Sequence, residues 1–580
     1  MQPRNWQDLE IIMDWEGKEP ANINMDSLEL VLEDAKQVID HIDKGLKGGV
    51  GIFEGMSYRL EVGPVGAPNF VLNSYLDLTE DLTVLSCNEV VANIKKEQGK
   101  DWLNDVADGF SFRYLESIGE IKDSDFKKIP YVINYIPDQA ELLILSISVF
   151  MMAKELQEAI KTLAETGGDV TDAATPVVGA GVGLGAVAVT AWDIGNIILV
   201  AIKAIANIAY VVAIIIAIVK LIDQVIQQLL PKKRYHLGMT IKSLFQKGCE
   251  HLGLTLKSSL LDAIPNRVII PSKDHKGGKA PTDAPSSWKE TGVPGANDGV
   301  DTFGDLIRVF KSVFNADCRI NNGVFEFERA DYWANNSSYK IPSTFIDQSK
   351  LQNPNGYNTA ELVANYNINY RYDVQDQNTL DNLNGFAFQA ITKPKTSRNA
   401  SLSNLKGLTE ISLPFSMATR KNELTTIEEA IKGLLKAVDF LINTFGGGKS
   451  YAGRINSRVG AMHLSSHFLS IPKMVELSGS SLAVNQRNVL SAANLWNNYH
   501  YINSFAEIGG EHGQRVTYSQ HKIPFCLQNF VSLEGNNFAT LDTGEQAEVK
   551  RLVWNVESDT AIIDYEVKRK YTDNLKIELL

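Results

Sequence analysis

The chain has 580 residues, of which 44% are hydrophobic and 22% charged, the composition of ordinary globular protein. Its length allows three or four domains. The net charge of −13, from 56 basic and 69 acidic residues, excludes a grip on nucleic-acid phosphates as the main task, because such contacts need basic surface. An acidic lumen past which DNA slides stays compatible with that charge.

The opening MQPRNWQDLEIIMDWEGKEP has neither a basic leader nor an apolar core, so synthesis in a cytoplasm without a cleaved signal is expected. Residues 1–137 read as a β-rich domain. Apolar runs or alternation at strand length occur at 8–15, 27–33, 49–55, 57–63 and 69–78. Between them, Glu33 to Leu46 carries Val38, Ile39 and Ile42 three and four apart, which predicts a helix that stops before Gly48–Gly49.

Pro137 and Asp138 open a second helical region, with Glu141 completing a capping-box spacing after Asp138. It is apolar at first, amphipathic later, and stops at Gly167–Gly168. From Ala173 to Leu230 the chain is then almost without charge, and either half approaches the roughly twenty apolar residues that span a bilayer core. Gly179, Gly181, Gly183 and Gly185 give overlapping GxxxG spacings. Ala206, Ala209, Ala213 and Ala217 put small residues on one helix face. Such faces let helix backbones approach closely, in lipid or in an oligomer core. Asn196, Lys203 and Asn207 share a face, where a lysine in lipid would need water or a partner. Burial within an oligomer and contact with a membrane both fit these residues. The PKKRY cluster at 231–235 suits a membrane interface or the C-terminal end of a helix dipole equally.

Residues 236–445 return to mixed α/β texture. The stretches 240–258 and 302–329 each read as a helix followed by a strand, each opening on a Thr with a Leu four residues on (Leu244, Leu306), a weak sign of an internal repeat. Asn321–Asn322–Gly323 predicts a hairpin turn, since Asn-Gly favours positive φ. The Gly-, Pro-, Lys- and Asp-rich 271–300 reads as a long loop. Strands are expected in 361–372, 385–392 and 408–416, and a helix from Ile427 to Phe445 ending at Gly446. Residues 446–580 form a last β-rich region: strand over 463–480, an aromatic-rich helix from Leu490 to Tyr501, and a hairpin from Ala547 to Tyr571.

Motifs of chemistry fail on spacing. GGGKS at 446–450 has Asn443 where a phosphate loop needs Gly, and Tyr451–Ala452–Gly453 where it needs a helix, so Lys449 and Ser450 read as part of a flexible turn. His463 and His467 stand four apart on a predicted strand, without the glutamate of a metalloprotease helix, and read as surface histidines. Cys87, Cys249, Cys318 and Cys526 are scattered without a CxxC pair, so buried small hydrophobes are expected rather than zinc ligands or disulfides. No nucleophile elbow occurs. No catalytic residue, cofactor or metal is assigned, and the protein is expected not to be an enzyme.

The stretch TFGDLIRVFKSVFNADCRINNGVFEFERADYW (302–333) resembles the baseplate hub, or tail-tip hub, proteins of tailed phages of Bacteroidetes-type hosts. Four further stretches agree: NWQDLEI with GIFEGMSYRLEVG, YVINYIPD (131–138), NVLSAANLWNNYHYINSF (488–505), and IPFCLQNF (523–530) with LVWNVESDTAIIDYEVKRKYT (552–572). The resemblance implies an α+β protein of several β-barrel-like, tail-tube-like domains, here with a long apolar helical insertion at 138–235. It implies a homotrimer that caps the tail tube, with two barrels per subunit so that three subunits mimic a six-fold ring. Its partners would be the tube, a spike or tip and other baseplate proteins, with DNA passing through unread and a virion location. The insertion departs from that pattern and keeps a second class open, a membrane-inserting pore-former or envelope-anchored protein.

Overall fold

A computed structural model describes, apart from short stretches inside these ranges, residues 3–133, 233–271, 301–342, 356–391, 408–424, 451–500 and 516–568, and single helical positions between 429 and 439. The fold is α+β, with an 11-stranded sheet, a seven-stranded sheet and three small sheets. The apolar stretch 173–230, with every glycine and alanine singled out above, lies outside the described residues.

The 11-stranded sheet is built around the C-terminal hairpin. Gln546–Asn555 and Thr560–Lys568 pair antiparallel, with a register shift between Val549 and Arg551. Beyond it, Glu10–Asp14 pairs with residues 551–555, and Phe538–Leu541 pairs with 546–548, so one long strand is flanked by two others end to end. Tyr339–Ile341 joins in parallel on Phe538–Leu541. The inward positions alternate as the pleat requires: Ile11, Met13, Leu552, Trp554, Ile563 and Tyr565 are buried in one cluster. The helix Glu33–Leu46 has the predicted bounds, buries Ala35 and Val38, and carries Glu33 and Asp34 in its first turn, where the helix dipole favours acid.

The two helix–strand stretches lie together. Ile241–His251 and Phe303–Phe314 begin at threonines whose hydroxyls accept from Ser243 N and Asp305 N, each at 3.0 Å. That satisfies orphan amide donors of the first turn. Phe303–Phe314 ends on Asn315 in the left-handed conformation. Both following strands flank Val324–Arg329: Thr255–Lys257 in parallel, Ala316–Asn321 antiparallel across a turn with Gly323 at φ +77°. Phenylalanines fill the space beneath the helices, with Phe245 and Phe327 ring centroids 4.6 Å apart. The helices meet where Gly248 faces Phe303. A Cβ on Gly248 would lie 2.3–2.6 Å from that ring, so only glycine allows this approach.

The seven-stranded sheet turns back on itself. Lys473–Ser478, Arg267–Ile270, Arg234–Thr240, Lys127–Ile133 and Met462–Leu464 are neighbours in that order. Ser416–Met417 then pairs with Lys473–Met474. Lys421 N donates to Ala461 O at 2.9 Å, and Gly460 N to Lys421 O at 2.9 Å, so backbone bonds run round a ring. Ile129, Tyr131, Val268, Ile270, Met462, Leu464 and Val475 share its buried interior.

Strand pairing links parts of the chain far apart in sequence: residues 10–14 pair with 551–555, 127–131 with 234–238 and 131–133 with 462–464. The 463–480 stretch is two strands, Met462–Leu464 and Lys473–Ser478, the second starting directly after Pro472, which has no amide to donate. The expected aromatic-rich helix is present as Ala492–Leu495 running into Trp496–His500; it starts at the Ser491 cap, whose hydroxyl accepts from Asn494 N at 3.1 Å and which separates it from the short helix Gln486–Leu490. Of PKKRY, Arg234 and Tyr235 open a strand, and what precedes Lys233 lies outside the described residues. Positions 429, 432, 436 and 439 are helical within the predicted 427–445 helix, whose remainder lies outside the described residues, as do 49–55 and most of 271–300.

Candidate functional site at one mouth of the strand ring

The strand Lys127–Ile133 leaves the ring beside the point where Arg234–Thr240 enters it. Tyr131 is the register partner of Arg234, and Pro130 of Tyr235. Residues 134–232 therefore connect two neighbouring antiparallel strands. Neighbouring strands lie about 4.8 Å apart, so the two roots of this long segment stand side by side. Leu464 pairs with Ile133, Asp376 bridges to Leu464, and Ser465 N donates to Gln375 O at 2.7 Å. Lys473, partner of Ile270, marks the same end of the next strands. Pro271 follows Ile270 at that end and precedes the 272–300 stretch.

Three fully buried charges close this mouth. Lys473 Nζ lies 2.7 Å from Asp373 Oδ2 and 3.3 Å from Asp376 Oδ2. Asp376 also accepts from Thr419 Oγ1 at 2.6 Å, and Asp373 Oδ1 from Gln375 N at 2.9 Å. An ammonium buried alone would cost several kcal/mol, and two carboxylates with hydrogen bonds offset that cost only in fixed geometry. The arrangement is a clamp that holds the segment Tyr370–Asp376 across the end of the ring.

Beside it, Tyr131 and His236 stack with centroids 4.1 Å apart, both fully buried. Burial pushes the Tyr131 hydroxyl up to about 12, against the opposing charge and hydrogen bond of Arg234. Burial lowers the Lys233 pKa, and its Nζ stands 5.7 Å from the Tyr235 ring centroid. Arg458 Nη2 donates to Ile133 O at 3.4 Å. The exposed side of the clamp is apolar: Val374 is 70% exposed, Leu383 53% and Tyr372 49%. The Tyr372 and Phe386 rings are 5.8 Å apart, and Phe386 N donates to Leu383 O, which ties Tyr372 and Leu383 together through the buried Phe386.

Gly179, Gly181, Gly183, Gly185, Lys203, Ala206, Asn207, Ala209, Ala213 and Ala217 lie outside the described residues, so the structure brings none of them to the mouth. Among the described residues, no helix is long and apolar enough to cross a membrane. Lys449 and Ser450 also lie outside them. However, a helix does follow, Tyr451–Asn456, correcting the expected turn. Its Ala452 N already donates to the buried Asp439 carboxylate at 2.9 Å, so a carboxylate of this chain takes the amide a phosphate would use. His463 is buried on its strand rather than exposed, and His467 is outside the described residues. Cys249 and Cys318 are buried as expected, whereas Cys87 and Cys526 are exposed; all four are free. Among the described residues no three His, Cys, Asp or Glu side chains gather as a metal site.

The clamp was not found by reading the sequence. Its one local signal is the DxxD spacing of Asp373 and Asp376, and Lys473 lies far off in the chain. No protein-family model matches the chain, and no curated protein matches it significantly.

Proposed function

We propose that this chain is a structural, non-catalytic hub at the tail tip of a phage virion. Three copies cap the tail tube, link it to a spike or tip, and let DNA pass without specific binding. The strand ring and the 11-stranded sheet would serve as the two tube-like units of each subunit, six in the trimer. During infection, the apolar 138–235 region would meet the host membrane.

One observation carries this reading. The stretches on which the resemblance rests are distant in sequence but packed together. His500 Nε2 lies 3.1 Å from Val313 O, and Asn315 Nδ2 donates to Tyr499 O at 3.1 Å, joining 302–333 to 488–505. Arg319 donates to Asn537 Oδ1 at 3.0 Å, and Asn536 to Trp333 O at 2.8 Å, joining 302–333 to the C-terminal sheet. Phe525 and Phe530 lie 5.7 and 5.1 Å from Trp554, joining 523–530 to 552–572. A scattered likeness that converges on one packed framework supports a shared architecture more strongly than the separate stretches do. The test is the native mass of the purified protein in mild detergent. A trimer is expected, and a stable monomer in plain buffer would refute the reading. The second reading, a membrane-inserting pore-former, is favoured by the bilayer-length apolar stretch.

A further inference from the structure

We propose that the mouth of the strand ring is a membrane-facing collar that seats on an anionic lipid surface. The inference rests on the membrane-contacting arm of the hub reading. It concerns a different set of residues: Tyr372, Val374 and Leu383 as the apolar contact, and Lys233, Arg234 and Arg371 as the cations around it.

Position is the first argument. Asp376 bridges to Leu464, Leu464 pairs with Ile133, and Arg234 pairs with Tyr131, two residues before Ile133. At about 4.8 Å per step, Val374 stands within roughly 20 Å of both roots of the 134–232 segment. Val374 therefore lies at the end of the ring from which the two roots of the 134–232 connection leave. Rigidity is the second. Val374 lies between two aspartates drawn inward by Lys473, so the clamp points it outward and spends three buried charges on fixing a solvent-facing valine. An exposed apolar group on a rigid mount is suited to insertion into a fixed surface. The third argument is charge. In a chain of net charge −13, this end carries the half-buried Lys233 and Arg234 and the exposed Arg371, while Asp373 and Asp376 beside them face inward to Lys473. Lysine and tyrosine together at the root, as in Lys233 and Tyr235, match the make-up of a bilayer interface. Anionic headgroups would meet the cations while the aliphatic side chains entered the acyl boundary.

The experiment uses the full-length protein in flotation with vesicles of phosphatidylglycerol and phosphatidylethanolamine, and with phosphatidylcholine vesicles alone. Expected is flotation with the anionic vesicles, weakened by salt, and at least a tenfold loss for Val374→Asp at an unchanged thermal midpoint. In a Cys87→Ser, Cys526→Ser background, an environment-sensitive dye on Val374→Cys should shift to the blue on anionic vesicles. If wild type floats but Val374→Asp floats equally and the dye does not shift, the collar is refuted while the membrane arm stands. If wild type floats with no vesicle, both fall. A dye shift on self-association alone would make this face a protein contact and also overturn the proposal.

Discussion

Replacing Gly248 by alanine tests the packing on which the mixed α/β region depends. The new methyl would sit 2.3 Å from Phe303 Cδ2 and 2.5 Å from Cγ, at least about 1 Å inside ordinary contact. Phe303 is fully buried, with ring centroids 5.8 Å from Phe325 and 6.0 Å from Phe245, so it has little room to yield. Overpacking of this kind costs roughly 1–3 kcal/mol. Alanine in place of glycine inside a helix returns about 1 kcal/mol. The net expectation is a loss of up to about 2 kcal/mol, read as a lower urea midpoint with unchanged slope. Phe303→Leu alone should cost about 1–2 kcal/mol through lost ring contacts. The double variant should then be less destabilised than the sum of the two, because leucine makes room for the methyl. A Gly248→Ala midpoint above wild type, or simple additivity in the double variant, would refute the close approach.

Three other outcomes follow from the same coordinates. Lys473→Met strands Asp373 and Asp376 without a counter-charge and should cost about 3–5 kcal/mol, whereas Lys473→Met with Asp373→Asn and Asp376→Asn should recover much of it; denaturant midpoints compare them. Burial alone would raise the Asp108 pKa, but hydrogen bonds from Arg308 and Thr302 lower it on balance. A depressed folded pKa stabilises above the ordinary carboxylate range and is lost as pH falls through it, so Asp108→Asn should flatten the acid limb of the stability curve, by under about 1 kcal/mol because Arg308 is half exposed. A thiol-reactive chromophore should label Cys87 and Cys526 at once, and Cys249, whose thiol burial pushes far up, only on unfolding; early labelling of Cys249 would contradict the packed helix core.

Local signals carried much of the fold. The helix Glu33–Leu46 was legible because Val38, Ile39 and Ile42 repeat on one face, and the 316–329 hairpin because Asn-Gly demands its turn. The C-terminal hairpin announced itself by alternation. The pairing of Glu10–Asp14 with residues 551–555 left no such trace, because strand partners far apart in the chain share only a face pattern. The strand Arg234–Thr240 was hidden for a different reason. Its start looks like the basic flank of an apolar helix, and His236 is buried by stacking on Tyr131 rather than by any hydrophobicity of its own. The clamp was illegible because three charges read as surface until tertiary structure places Lys473 between Asp373 and Asp376.

The hub assignment is tested most directly by electron microscopy of tailed virions that carry this protein, decorated with gold-labelled antibody against the C-terminal hairpin. The account predicts label at the distal end of the tail, at the tube's tip, on every particle. Label on the capsid, along the tail shaft, or on host membranes without virions would contradict it.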